Sequence, residues 1–158
     1  MPTHAEKRVL PYRPEQLYAL VAGVKHYPKF LPWCIGARIR ERSEHHLVAD
    51  LIIGFKMFRE RFTSKVTLDP AAMRIDVEYS EGPFKYLRNH WKFLPHPEGC
   101  EIDFYVDFEF RSRLLQKTVE LLFNEAVRRM VAAFESRARQ LYGENGLRLP
   151  PGATIGTV

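Results

Sequence analysis

The sequence is short of the features by which many enzymes and membrane proteins declare themselves. It holds two cysteines in 158 residues, Cys34 and Cys100, too few and too far apart for a disulfide framework or a thiolate metal site. Nowhere do the roughly 18 consecutive apolar residues of a membrane span occur together; the longest greasy runs, such as residues 51–55, are strand-sized. The first ten residues carry no apolar run of the kind a signal peptide needs. These absences lead to the expectation of a cytoplasmic protein with reduced thiols.

Chemical signatures are missing as well. There is no glycine-rich phosphate loop, no G-x-S-x-G elbow, no H-E-x-x-H and no C-x-x-C. The six histidines, His4, His26, His45, His46, His90 and His96, lie on turns and one outward strand position without ligand spacing, so neither a metal nor a catalytic cofactor is expected. Cys34 has no fixed histidine partner in the sequence, which argues against a catalytic thiol. The acidic row Glu101, Asp103, Asp107 and Glu109 alternates onto a solvent face, where it is expected to pair across strands with cations such as Arg88 and Lys92.

What the chain does contain is ring-rich and basic. Apolar residues make up 46% and aromatic residues 13%, with eleven Phe and two Trp, which is the composition of a folded domain with a bulky core. The net charge of +5 favours anionic partners.

The longest regular element the sequence can make runs from Arg113 to Tyr142. Apolar side chains at Leu115, Val119, Leu122, Phe123, Ala126, Met130, Ala133, Phe134 and Leu141 fall at spacings of three and four, one stripe of a helix about 45 Å long. Gly143 stands where a C-terminal cap belongs. Before it the period is two. A first strand over residues 5–10 is followed by a helix with Pro14 at its start and Gly23 at its end. The segment 26–33 then packs two prolines and three rings into eight residues, room for a turn or two of helix. From Cys34 onward, six alternating segments separated by turn residues predict an antiparallel meander with one wet face. Gly54 is expected to mark a bulge or bend. The reading is an α+β fold in which a curved antiparallel sheet of six or seven strands surrounds the C-terminal helix.

Parity gives the inward surface. Its strand residues are Leu51, Ile53, Phe55, Phe62, Ser64, Val66, Tyr79, Asn89, Trp91, Phe104, Val106 and Phe108. The helix adds Leu122, Phe123, Met130 and Phe134, and the proline-stiffened segment adds Phe30, Leu31 and Trp33 as a plug or lip. A mostly apolar surface with a few polar groups fits either a close-packed core or a ligand pocket. Parity does not distinguish filled from hollow. On the opposite face Arg38, Arg40 and Arg42 are expected to share one strand and Arg61 and Lys65 another, a basic surface suited to phosphates.

Specific strings add to this reading. His26-Tyr27-Pro28-Lys29-Phe30-Leu31-Pro32-Trp33-Cys34, Phe62-Thr63-Ser64-Lys65-Val66, Gly82-Pro83-Phe84, Trp91-Lys92-Phe93 and Asp107-Phe108-Glu109-Phe110, in this order, resemble the coenzyme Q-binding START-domain family of the polyketide cyclase and lipid-transfer superfamily. The resemblance covers residues 3–142. It implies a helix-grip fold over residues 1–143, with residues 144–158 as a flexible tail. It also implies that ubiquinone or a similar isoprenoid lipid binds in the cavity, as ligand rather than catalytic cofactor, in support of respiratory electron transport and with peripheral contact to the inner membrane. Ser64 or Asn89 would donate to a quinone carbonyl. The same family includes ribosome-associated toxins, so binding to the large ribosomal subunit through the basic rows is the alternative. A cyclase-type enzyme ranks behind both, because the inward parity offers only Ser64, Asn89 and Tyr79 as chemistry.

Overall fold

The computed structural model describes residues 3–55, 58–151 and 153–154, with the side chains of all but Phe55 and Ser80. The period-two segments form seven strands: β1 (Thr3–Leu10), β2 (Cys34–Arg42), β3 (His46–Phe55), β4 (Phe58–Asp69), β5 (Arg74–Glu81), β6 (Phe84–His96) and β7 (Gly99–Phe110). They make one antiparallel sheet in the order β1-β7-β6-β5-β4-β3-β2. Helix α1 (Pro14–Ala22) and a 3-10 helix (Val24–Lys29) cross from one edge strand to the other, and the long helix α2 (Arg113–Tyr142) returns over the inner face. This is the sheet around a terminal helix that the change of period predicts, and the helix-grip arrangement that the resemblance implies.

Local chemistry fixes the joints. The Ser112 hydroxyl accepts the Leu115 amide at 3.2 Å, capping α2. One turn in, the Gln116 side chain accepts the Phe110 amide at 2.8 Å and ties the end of β7 to the helix start. Gly99 opens β7 at φ +139°, where a Cβ would lie 2.2 Å from the Leu10 carbonyl. Only glycine lets the β6–β7 turn press this closely on the end of β1.

The irregularities sit elsewhere than expected. β3 and β4 pair without interruption from His46↔Thr67 through Gly54↔Arg59, so Gly54 is not a bulge. Breaks fall in β2, between Cys34 and Gly36 and between Ile39 and Glu41, and also between Thr63 and Ser64 and between Phe84 and Tyr86. A Cβ added at Gly54 would meet Ile35 Cδ1 at 3.5 Å, an ordinary contact.

The core is uneven. Buried α2 side chains concentrate toward its C-terminal end, at Phe134, Arg137, Ala138, Leu141 and Tyr142, with only Leu115 and Val127 buried before them. Here α1 packs through Leu17, Leu20 and Val21. Residues 145–149, assigned from sequence to a loose tail, dock at the same end. Gly146 donates to the Pro11 carbonyl at 3.0 Å, Gln16 donates to the Gly146 carbonyl at 3.0 Å, and the Arg13 guanidinium donates to the Leu147 carbonyl. Within the expected tail, residues 152 and 155–158 lie outside the described residues. No helix among the described residues is long and apolar enough to cross a membrane.

Candidate functional site

Between the inner face of the sheet and α2 lies a cavity of about 310 Å³, at the lower end of the range of small-molecule pockets, about 300–1,000 Å³. Two aromatic clusters bound it. One joins Trp91 to Phe104 (ring centroids 4.6 Å apart) and Phe134 (5.2 Å). The other centres on Phe84, edge-on to Phe62 at 5.3 Å and stacked on Phe110 at 4.6 Å. Strand inner faces and the helix stripe meet across the space between them without filling it.

Of the side chains singled out by parity, the structure brings Leu31, Trp33, Leu51, Ile53, Phe62, Ser64, Val66, Asn89, Trp91, Phe104, Val106, Phe108, Phe123, Met130 and Phe134 to this wall. Three lie off it. Phe30 turns behind Phe134, 5.2 Å away, and faces a second pocket. Tyr79 keeps the inner face, opposite Ser64, but joins the Phe84 cluster instead of the wall: its ring packs on Phe84 at 5.4 Å and its hydroxyl donates to the Gly82 carbonyl. Leu122 falls on the shoulder of the helix stripe, since about 100° per residue carries it away from the Val119–Ala126–Met130 line while Val127, on the other shoulder, is drawn in. The Phe55 side chain lies outside those described.

Parity also passed over wall residues. Val21, Val24 and Tyr27 close the end beneath α1, and Ile75, Val77 and Leu87 continue the alternation of β5 and β6. Leu115 and Val119, already on the helix stripe, complete the side near Ser112. The most consequential addition is Glu60. It shares the parity of Phe58, Phe62 and Ser64, and its alternation was sufficient to place it inward. Glu60 pairs with Ile53, which in turn pairs with Cys34, so the carboxylate lies at the cavity end beside the β3–β4 turn.

The other polar lining groups are tied into the protein. Asn89 donates to the Tyr105 carbonyl at 2.8 Å and accepts the Trp91 indole N–H at 3.0 Å. The Ser64 hydroxyl, 1% exposed, points to the Ala49 carbonyl at 3.5 Å, and the Tyr27 hydroxyl donates to the Val21 carbonyl. Burial holds the Tyr27 phenol well above its ordinary range and raises the Cys34 thiol. Neither is primed for proton transfer or nucleophilic attack. Among the described residues Glu60 makes no hydrogen bond or ion pair, and no group of His, Cys, Asp and Glu could hold a metal.

The basic rows are rearranged. Arg38 lies opposite Asp50 and Ile39 opposite Ala49, but the bulge after Ile39 places Arg42 opposite inward-facing Leu47. Arg42 therefore leaves the outer row and reaches the second pocket. Arg40 is engaged by Asp50 at 3.2 Å, and Asp50, 4% exposed, also accepts the Thr63 hydroxyl at 2.5 Å. Arg38, Arg61 and Lys65 remain on the exposed face, with Glu78 paired across from Lys65.

Comparison with known proteins agrees with this geometry. The family of polyketide cyclases/dehydrases and lipid transport proteins matches residues 10–135. A protein of Rickettsia prowazekii named ribosome association toxin RatA is 37% identical over 137 residues, covering 85% of this chain and 94% of its own. The coenzyme Q-binding protein COQ10 homolog B, mitochondrial, of Xenopus laevis is 33% identical, covering 96% of this chain and 64% of that protein. A START superfamily protein from Mycobacterium smegmatis has the same fold, with a TM-score of 0.73 at 19% identity over 87% of this chain and 97% of its own.

Proposed function

Because the chain belongs to the polyketide cyclase/dehydrase and lipid transport family, we propose that it carries an isoprenoid quinone or a similar ring-bearing lipid in the cavity under α2, as a carrier or chaperone supporting respiratory electron transport. The observation behind this is the hollow itself: about 310 Å³ walled almost wholly by apolar side chains. Water gains few partners there, and each Å² of apolar ligand surface buried is worth about 25 cal/mol. A flat head packs on wall rings near Glu60, such as Trp33 or Phe62, while the first part of a prenyl chain follows Val119, Phe123 and Met130. The cavity is small, so a long tail leaves through its opening.

Glu60 sets the head's orientation. A carboxylate accepts hydrogen bonds and offers none, which matches a ring hydroxyl better than a ring carbonyl. Solvent extraction of natively expressed protein followed by mass spectrometry tests the reading. A quinone or prenyl lipid in near-stoichiometric amount is expected; protein that carries none and takes none up from solution has another function. Catalysis is not part of the proposal, because the buried thiol and phenol are held in their neutral forms and the cavity offers no paired acid and base.

A second reading rests on the likeness to the ribosome association toxin. Exposed Arg38, Arg61 and Lys65 would meet rRNA phosphates of the large subunit, with affinity falling as salt rises. Gradient sedimentation with ribosomal subunits at low and high salt tests it, and free protein at the top of the low-salt gradient excludes it.

A further inference from the structure

We propose that the chain holds a second ligand site, for a phosphate group, in the pocket between α1, the 3-10 helix Val24–Lys29, the end of β2 and the last turns of α2. This pocket also measures about 310 Å³. It is separated from the apolar cavity by the Phe30 and Phe134 rings, and what fills the one does not decide what fills the other.

Four cationic or ionisable groups converge here: Lys25, His26, Arg42 and Arg137. They come from three separate elements, and the pocket's described lining includes no carboxylate. Arg137 is the most telling. Its side chain is buried, with 6% of the residue exposed, yet among the described residues its guanidinium meets the Gln140 side chain at 3.0 Å and the Phe30 ring at 5.5 Å and no acid. A guanidinium has five N–H donors in a rigid fork. Burying one without an anion is unfavourable, and stacking on a ring recovers only part of the lost hydration. Among the described residues, neither Arg137 nor Arg42, Lys25 or His26 has an acidic group within ion-pair distance. The β2 bulge matters because it brings Arg42 to this side of the sheet.

The charge of the site selects the ligand. Two guanidinium forks with a lysine and an imidazole match a doubly charged, multi-oxygen anion better than a single carboxylate. The state of His26 agrees: burial first, then Lys29, Lys25 and Arg137, hold its imidazole below the ordinary 6.5. An anion among these cations would reverse the electrostatic part of that shift. The phosphate could be free in solution, or it could be the headgroup of a phosphomonoester lipid; the recognition chemistry is the same.

The test follows the His26 ring signals of the full chain by NMR during titration with inorganic phosphate, against sodium chloride at matched ionic strength. A saturable shift in the millimolar range or below, with the His26 pKa rising, is expected with phosphate and absent with chloride. Arg42→Gln, at an exposed position, should weaken phosphate binding at least tenfold without unfolding the protein. Arg137→Met should abolish it if that variant folds. Equal responses to phosphate and chloride, or an Arg42→Gln titration like that of the parent, would overturn the proposal. Flotation with phosphatidylcholine vesicles containing phosphatidic acid identifies the source. Binding that millimolar phosphate and Arg42→Gln both abolish assigns the site to a headgroup. A phosphate titration without vesicle binding assigns it to a soluble phosphate.

Discussion

Replacing Glu60 by Leu removes a carboxylate from the apolar wall and leaves an inward side chain of similar reach. A hydrogen bond to a charged group is worth about 1.5–3 kcal/mol, so affinity for a reduced, dihydroxy ring should fall about 10- to 100-fold. Affinity for the oxidised ring, which has no hydroxyl to donate, should hold or improve. Calorimetric titration with both redox forms of a short-chain quinone separates the outcomes, and equal losses would show that Glu60 only shapes the wall. A second substitution probes the docked segment. A Cβ on Gly146 would come within 2.4 Å of the Tyr12 ring and 2.9 Å of the Gln16 side-chain oxygen. Gly146→Ala should therefore cost about 1–3 kcal/mol in urea unfolding, as overpacking does. At this scale the sequence was only partly readable. Alternation assigned most of the wall, including Asn89 and Trp91, because a strand's parity survives any tertiary arrangement that keeps it straight. It failed at Arg42, which a bulge turned inward, and it had no hold on Phe30, whose irregular segment turned the ring toward the second pocket with no local residue pattern to announce it.

Among the elements, α2 is held by its ends in unequal measure. Its C-terminal turns are buried against α1 and the Trp91 cluster, whereas its first half packs mainly through Leu115, Val119, Phe123 and Val127 onto the cavity, with Leu114 and Leu121 at 64% and 85% exposure. A helix half with few buried contacts opens at lower free energy than one packed into a core. Amide hydrogen exchange should be faster over residues 115–130 than over 134–142, and a lipid in the cavity should slow the first group selectively. Uniform protection along the helix, with or without lipid, would argue against entry past this half. The elements themselves were legible: the change of period from two to 3.6 marks where sheet gives way to helix, and Ser112 and Gly143 stand at the helix ends. The strand order was legible too, since short turns between alternating segments force neighbours to pair. The docking of residues 145–149 was not, because a Gly- and Pro-bearing stretch without periodicity carries no sign of the Tyr12–Gln16 surface that receives it.

For the molecule as a whole, buried ionisable groups set the pH range of stability. The Cys100 thiol is pushed up from 9 to about 12, by burial above all. Burial likewise raises the Tyr18 and Tyr142 phenols. Groups that bind protons more tightly folded than unfolded stabilise fully below their unfolded pKa, and that contribution is lost as pH rises past it. Stability should thus decline above about pH 9, with Cys100 adding its share up to about pH 12. On the acid side the sign reverses. His26 and His90 are held below 6.5, chiefly by burial, so their contribution is present above 6.5 and lost as pH falls through their lowered values. Chemical unfolding from pH 5 to 11 should trace a maximum between these limits, and His90→Gln should flatten the acid limb without moving the alkaline one. The sequence conveyed the general architecture and a greasy interior. Whether that interior was solid could not be read from it, since a hollow depends on how far α2 stands from the sheet, and no residue pattern encodes that distance.

The helix that roofs the cavity follows all seven strands in the chain. While the protein is being made, the sheet's greasy face is synthesised first and waits uncovered until residues 113–142 emerge. During that interval the nascent chain is a ready client for chaperones, and cargo has no container to enter. Loading is therefore a step that follows translation, and a ribosome stalled before Arg113 would leave an aggregation-prone sheet rather than an empty vessel.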